Sequence, residues 1–280
     1  MTNRELLLPT IRLGAYEVTR LIIGGNPFSG GSHFSPELDR AFVDYYTAEN
    51  IKRALVECER CGLNTMQSRG DRHIRRVIHE YRNEGGTLQW IAQTASELRD
   101  LPGHIRSLAG EAIAIYNHGS HTDRCWHEGR RDEVRELLKV TRDAGVLVGL
   151  GTHLPEVIEY SEEHGWDVDF YMACLYALTR QRRESPIVAG QHQSGEVFDD
   201  ADREAMAATV RQTPKPCLAF KVLASNRKCG SPEEVRQALA WAFAHLKPTD
   251  AVVVGMFQRD LNQVAQNAQT VREVGPPSDP

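Results

Sequence analysis

Three short apolar runs in this chain end on polar residues: AIAIYNH on His118, VLVGLGTH on His153 and CLAFK on Lys221. An imidazole titrates near neutrality, so a histidine at a strand end can act as base, acid or ligand. A lysine between apolar neighbours is seldom buried without a partner. Desolvated and near other cations, its amine becomes a base or a Schiff-base nucleophile. Paired with a carboxylate, or reaching outward, it is instead structural or holds an anionic substrate. Asp123, in HGSHTDRCW, either orients an imidazole or caps a turn. Gln67, Arg69, Asn26, Gln93 and Tyr176 end other apolar runs. Amides and a single guanidinium suit the hydroxyls of a sugar or polyol.

Gathering these residues requires a particular scaffold. Apolar runs alternate with amphipathic helical stretches along the chain. The runs are RLIIGG (20–25), NTMQS (64–68), TLQWIAQ (87–93), AIAIYNH (112–118), LVGLGTH (147–153), DVDFYMACLY (167–176), CLAFKVLA (217–224) and AVVVGMF (251–257). Continuous rather than alternating apolar character marks parallel strands covered by helices. Eight such units without a composition break predict one (β/α)8 barrel over residues 1–280, with chemistry at the carboxyl ends of its strands. A doubly wound sheet is disfavoured, because GGNPFSGGSH after the first run lacks the G-x-G-x-x-G fingerprint. Residues 11–19 read as a small hairpin turning at Gly14-Ala15 and plugging the bottom of the barrel. Two long polar segments, around 24–48 and 179–200, read as loops over the mouth. Residues 274–280 read as a flexible tail. Ser231 and Glu234 have capping-box spacing.

Composition narrows the function classes. With 280 residues, 41 % hydrophobic and 25 % charged, the chain resembles an ordinary globular protein. A net charge of −5 offers no electrostatic footprint for nucleic acid. No run reaches the roughly 20 apolar residues of a membrane span. The amino terminus lacks a secretory pattern, and six scattered cysteines read as free thiols, so a cytoplasmic setting is expected. Cys58-x-x-Cys61 lies within a helical pattern with no second pair, which favours packing over redox chemistry.

Several phrases resemble the aldo-keto reductase superfamily. LGAYEVTRLIIGGNPFSGG is similar to its opening hairpin, first strand and glycine-rich turn. ALVECERCGLNTMQS, VTRDAGVLVGLGTH, WDVDFYMACLYALTR and VVVGMFQRDLNQVAQNA are similar to later strand–helix junctions. The resemblance implies the barrel fold and, in the family, NADPH-dependent carbonyl reduction by an Asp, Tyr, Lys and His. At those positions the chain has Gln67, no tyrosine, Gln93 and His118. The family's nicotinamide-contacting Ser-Asn pair reads Thr152-His153, and its sixth-strand Gln and Glu read Met172 and Cys174. Near the last strand, where the family grips the cofactor phosphate, Met256, Phe257 and Gln258 precede Arg259. Without the tyrosine and lysine, no proton donor for hydride transfer is evident.

The expectation is therefore an aldo-keto-reductase-like barrel working by cofactor-independent acid/base chemistry, as lyase, isomerase or hydrolase, on a small carbohydrate-like molecule. Lys221 is base or nucleophile, His118 and His153 shuttle protons, Asp123 assists, and Asn26, Gln67, Arg69, Gln93 and Tyr176 position substrate. The alternatives are an NAD(P)-dependent oxidoreductase with an altered site and a non-catalytic binding protein. A divalent metal on His118, His153 and a carboxylate is a further reading, although no compact motif such as H-E-x-x-H supports it.

Overall fold

Strands that are apolar on both faces need cover on both, and a closed barrel ringed by helices supplies it. The computed structural model describes residues 8–180, 188 and 195–275. After a two-stranded hairpin, β1 (Thr10–Leu13) and β2 (Tyr16–Thr19), come eight parallel strands: β3 (Leu21–Gly24), β4 (Thr65–Arg69), β5 (Gln89–Gln93), β6 (Ala114–Asn117), β7 (Leu147–Thr152), β8 (Phe170–Cys174), β9 (Cys217–Phe220) and β10 (Ala251–Gly255). They pair in chain order, and β10 returns to β3 to close the barrel. The fold expected from the apolar pattern is thus the one observed.

Helices fill the crossovers: α1 (Pro36–Tyr45), α2 (Ala48–Arg60), α3 (Arg72–Asn83), α4 (Leu101–Leu108), α5 (Gly119–His127), α6 (Arg131–Asp143), α7 (Pro155–Glu163), α8 (Asp200–Gln212), α9 (Pro232–His245) and α10 (Gln263–Val274). Their starts are written in the sequence. Ser35, Thr47, Asp71, Asp100 and Ser231 each accept a hydrogen bond from a first-turn backbone N–H, satisfying donors that have no partner within the helix. Glu234 reaches back to the Gly230 N–H, one residue before the cap that the capping box assigns. No helix among the described residues is long and apolar enough to cross a membrane.

The side chains sort into two apolar sets. Ile22, Ile91, Ala114, Tyr116, Phe170, Met172, Leu218 and Val253 fill the barrel interior, and the hairpin adds Ile11, Leu13 and Val18 to the same cluster. Ile23, Met66, Trp90, Ile115, Val148 and Leu150 face the helices. The left-handed Gly14 (φ +57°) turns the hairpin, as its position predicts.

Three local expectations need correction. The segment after β3 is not structureless: a 3-10 turn (Pro27–Ser29) and α1 occupy much of it, because Pro36 sits at N1 behind the Ser35 cap. HGSHTDRCW is helix α5 rather than loop, entered directly from β6 with His118 at the N-cap. Lys221 lies outside the strand, since β9 ends at Phe220 and Lys221 adopts φ +62°. Most of the expected loop after Thr179 lies outside the described residues, as do residues 276–280 of the expected tail, whereas Val274 ends α10. All six cysteines are free, and Cys58 is fully buried on the core face of α2.

Candidate active site at the barrel mouth

His118, His153 and Lys221 each sit one residue beyond a strand, on β6, β7 and β9. Side chains alternate along a strand. Tyr116 points into the barrel and His118 follows it by two residues; Gly151 and His153 repeat the relation. Both histidines line a cavity of about 210 Å³ at the carboxyl ends of the strands, and Asn26, Gln67, Gln93 and Lys221 share it. Alternation would turn Lys221 away, because its neighbour Phe220 faces the cavity. The left-handed backbone at Lys221 returns the side chain to the mouth, where Nζ meets Ser225 Oγ at 3.0 Å.

His153 is the most firmly held of these groups. Its Nδ1 lies 2.7 Å from Asp123 Oδ2, and its backbone N–H donates to the same oxygen at 3.1 Å. Asp123 is completely buried on α5 and also accepts from the hydroxyls of Thr152 and Thr179. With four donors around it, the carboxylate fixes the ring with the proton on Nδ1. Nε2 has no partner among the described residues, and the ring borders the cavity. This approach of α5 to β7 depends on two glycines. A Cβ on Gly151 would stand 2.7 Å from Asn117 O and 2.9 Å from the Gly119 nitrogen, and one on Gly119 would stand 3.2 Å from the Thr152 nitrogen.

The His118 backbone N–H donates to Thr94 Oγ1, and its Nδ1 lies 2.9 Å from Ser96 Oγ. Burial, reinforced by Arg69 and the neighbouring histidines, holds its imidazole well below the usual range, so it is neutral at physiological pH. A third cavity histidine, His33, pairs with Glu196 at 2.8 Å. Burial and then the Lys221 ammonium lower it to about 4, against the pull of Glu196.

Two amides form the floor. Tyr116 donates to Gln93 Oε1 at 2.7 Å and accepts from Gln67 Nε2 at 2.8 Å. Thus the strand ends where the resemblance places the family's Asp and Lys carry an uncharged chain of hydrogen bonds. Burial raises the Tyr116 phenol far above its ordinary value. The Asn26 side chain makes no bond to another described residue.

Two expected substrate contacts lie elsewhere. Arg69 is turned to Glu97 and Asp71 and does not line the cavity. Tyr176 is directed to Asp200 and packs on Phe198. In both cases a nearby carboxylate outside the barrel claims the polar end. Asp123 also stays out of the cavity and acts through His153. His33, Glu196, Tyr116 and Ser96 were not singled out from sequence. Tyr116 carried a signal, since it shares strand parity with His118. His33 carried only its place in a glycine-rich segment.

The cofactor of the resembling family needs a phosphate site near the last strand and the start of α10. There the donors are already engaged: Phe257 N–H to Gln263 Oε1, Val264 N–H to Gln258 Oε1, and Ala265 N–H to Asn262 Oδ1. Arg259 is occupied by Asp260 at 2.8–3.1 Å. Helix N-termini bind phosphate through free N–H groups, and this one is filled by its own amides, so it does not fit a dinucleotide phosphate. No carboxylate among the described residues joins His118 and His153 to make the expected metal set of three ligand atoms within 4.8 Å of one another. Among the described residues, the ligand atoms that do lie within 4.8 Å of one another belong to His121, Cys125 and Glu133.

No family model and no curated protein matches the sequence. Solved structures do match. A Pseudomonas aeruginosa protein described as an aldo-keto reductase is 16 % identical, with 96 % of this chain and 100 % of that one covered and a TM-score of 0.59. The glycerol dehydrogenase of Gluconobacter oxydans is 12 % identical over 97 % and 98 %, with a TM-score of 0.50. A truncated 3-deoxy-D-arabino-heptulosonate 7-phosphate synthase from Thermotoga maritima is 14 % identical over 97 % and 92 %, with a TM-score of 0.52. At such identities the likeness is one of fold, and the fold is one that hosts more than one reaction. The chain has the aldo-keto-reductase-like (β/α)8 barrel fold.

Proposed function

We propose that this protein is a proton-transfer enzyme, of isomerase or lyase type, acting on a small hydroxycarbonyl compound such as a sugar or sugar acid. One observation carries the reading: buried Asp123 holds His153 through Nδ1, leaving Nε2 beside the cavity as a base. His153 Nε2 takes a proton from the carbon next to the substrate carbonyl, and the electron pair moves to the carbonyl oxygen. His118, neutral and hydrogen-bonded to Ser96 through Nδ1, donates to that oxygen from Nε2. The Lys221 ammonium holds a carboxylate or phosphate of the substrate. For an isomerase, His153 returns the proton to the former carbonyl carbon while the other enediol hydroxyl gives its proton back to His118. For a lyase, the carbonyl re-forms, returning its proton to His118, and a hydroxyl leaves the carbon beta to it as water with the proton that His153 took. Gln67, Gln93 and Asn26 present amides to the substrate hydroxyls. A cavity of about 210 Å³ lies below the roughly 300–1,000 Å³ of drug-sized sites, which supports a small substrate.

The test is solvent exchange. The protein is incubated in D2O with a panel of aldoses, ketoses and sugar acids, with and without phosphate, and carbon-bound protons are followed by NMR. The expected result is deuterium at the carbon next to the carbonyl of one compound class, lost in His153→Gln. Absence of exchange across the panel, together with low-micromolar NADPH binding, overturns the proposal in favour of an altered oxidoreductase.

A further inference from the structure

Outside the barrel, α5 and α6 bring together three side chains that the mouth does not use. His121 and Cys125 lie one turn apart on α5, and Glu133 lies in the first turn of α6. The imidazole and thiol are buried, while Glu133 is 42 % exposed. His121 Nε2 is 3.2 Å from Glu133 Oε1 and 3.7 Å from Cys125 Sγ. We propose that these three residues bind a zinc ion that ties α5 to α6.

Two of the three edges have the spacing of a tetrahedral site, and all three ligand atoms lie within 4.8 Å of one another. Zinc bonds of about 2.0 Å to nitrogen or oxygen and 2.3 Å to sulfur give tetrahedral edges of about 3.3 Å (N···O) and about 3.5 Å (N···S). Both edges observed here match, with no ion needed to draw the side chains together. Imidazole, thiolate and carboxylate are a zinc donor set, with water as fourth ligand on the side that Glu133 opens to solvent. The thiol releases its proton to bulk solvent on binding, and the bound water stays as the fourth ligand.

The outer partners are also in place. Arg130 binds Glu133 through Oε2, which leaves Oε1 for the metal. On the far side of the ring, His121 Nδ1 is 3.3 Å from the Asn117 amide nitrogen, while Asn117 Oδ1 is buried without a hydrogen-bond partner. A half-turn of that amide, which exchanges its present donation to Thr122 Oγ1 at 2.8 Å for acceptance from that hydroxyl, presents Oδ1 to a proton on Nδ1. Metal-ligating histidines use such a carbonyl to fix the tautomer, which here bares Nε2. Arg124 and Arg130 stand near the ring and oppose a cation, so the thiolate and carboxylate charges are both required. The ion would brace the helix that begins at His118 and carries Asp123.

The experiment uses whole protein stripped by a chelator, kept reduced and titrated with Co2+ and then Zn2+. One equivalent of cobalt should give tetrahedral ligand-field bands and a thiolate-to-cobalt charge-transfer band, both bleached by equimolar zinc. Cys125→Ser should lose the charge-transfer band and Cys61→Ser should keep it. Glu133→Gln should weaken binding by at least about tenfold and abolish the rise in Tm that zinc gives the parent protein. Because Glu133 is half-exposed, that variant keeps the test open even where Cys125→Ser fails to fold. No charge-transfer band, a band that survives Cys125→Ser, or an equal Tm rise in Glu133→Gln overturns the site.

Discussion

The two sides of the barrel mouth place their nitrogen-bearing side chains by different means. On the β6–β7 side, His118 and His153 continue the alternation of their strands, and Asp123 reaches across from the helix between them. On the β3–β9 side, His33 and Lys221 stand on left-handed backbone (φ +56° and +62°), followed by Ala224, Ser225 and Asn226 in the same region. For residues with a Cβ, that region costs about 1–2 kcal/mol each. One side holds its groups through regular elements and satisfied hydrogen bonds. The other holds them in strained turns that only the surrounding chain maintains. For the proposed reaction, the difference suits a division of labour: a fixed base on one side, and an adaptable grip for substrate charge on the other.

The sharpest way to break that division is His153→Gln. It should lower kcat by about 10²–10⁴-fold with little change in KM, whereas Lys221→Gln should mainly raise KM. Steady-state kinetics on the compound found by exchange compares them, and reversed effects would sink the division. Asp123→Asn comes next. Replacing one acceptor oxygen by a donor among four facing donors should cost about 1–3 kcal/mol in urea denaturation and reduce kcat through a misplaced imidazole proton. Third, Lys221→Gly should be more stable than Lys221→Ala by about 1 kcal/mol, because glycine accepts φ +62° without strain. Equal stability of the two would remove the claim that this side is strained.

The smallest effect is a pH dependence. His33 titrates at about 4 in the folded protein, against an ordinary 6.5. Between those values the unfolded chain binds more protons, so this contribution to stability is present above pH 6.5 and is lost as pH falls towards 4. His118, also held low by burial, has the same sign. Tm measured from pH 4 to 7.5 should fall on the acid side, and His33→Gln should flatten the slope.

The same contrast explains what could be read from sequence. Barrel, hairpin and the two strand-end histidines follow from apolar runs and a period of two, which depend on local pattern alone. Lys221 was legible as an unusual residue but not as one outside its strand, because CLAFKVLA offers no glycine or proline to mark the left-handed break after Phe220. Asp123 was visible as a candidate orienting carboxylate; its helix was obscured by the glycine that opens α5, a poor helix former that here allows close contact with β7. Arg69 and Tyr176 were placed by strand position, yet their partners Glu97, Asp71 and Asp200 come from connecting segments whose path no periodicity encodes.

The hairpin at the other end of the barrel has a kinetic consequence. Ile11, Leu13 and Val18 pack into the bottom of the barrel with apolar side chains, so among the described residues the mouth is the cavity's way in. In the proposed reaction, substrate, product and displaced water all use it in turn. Product lingering in the cavity therefore blocks the next substrate directly, and its inhibition should be competitive.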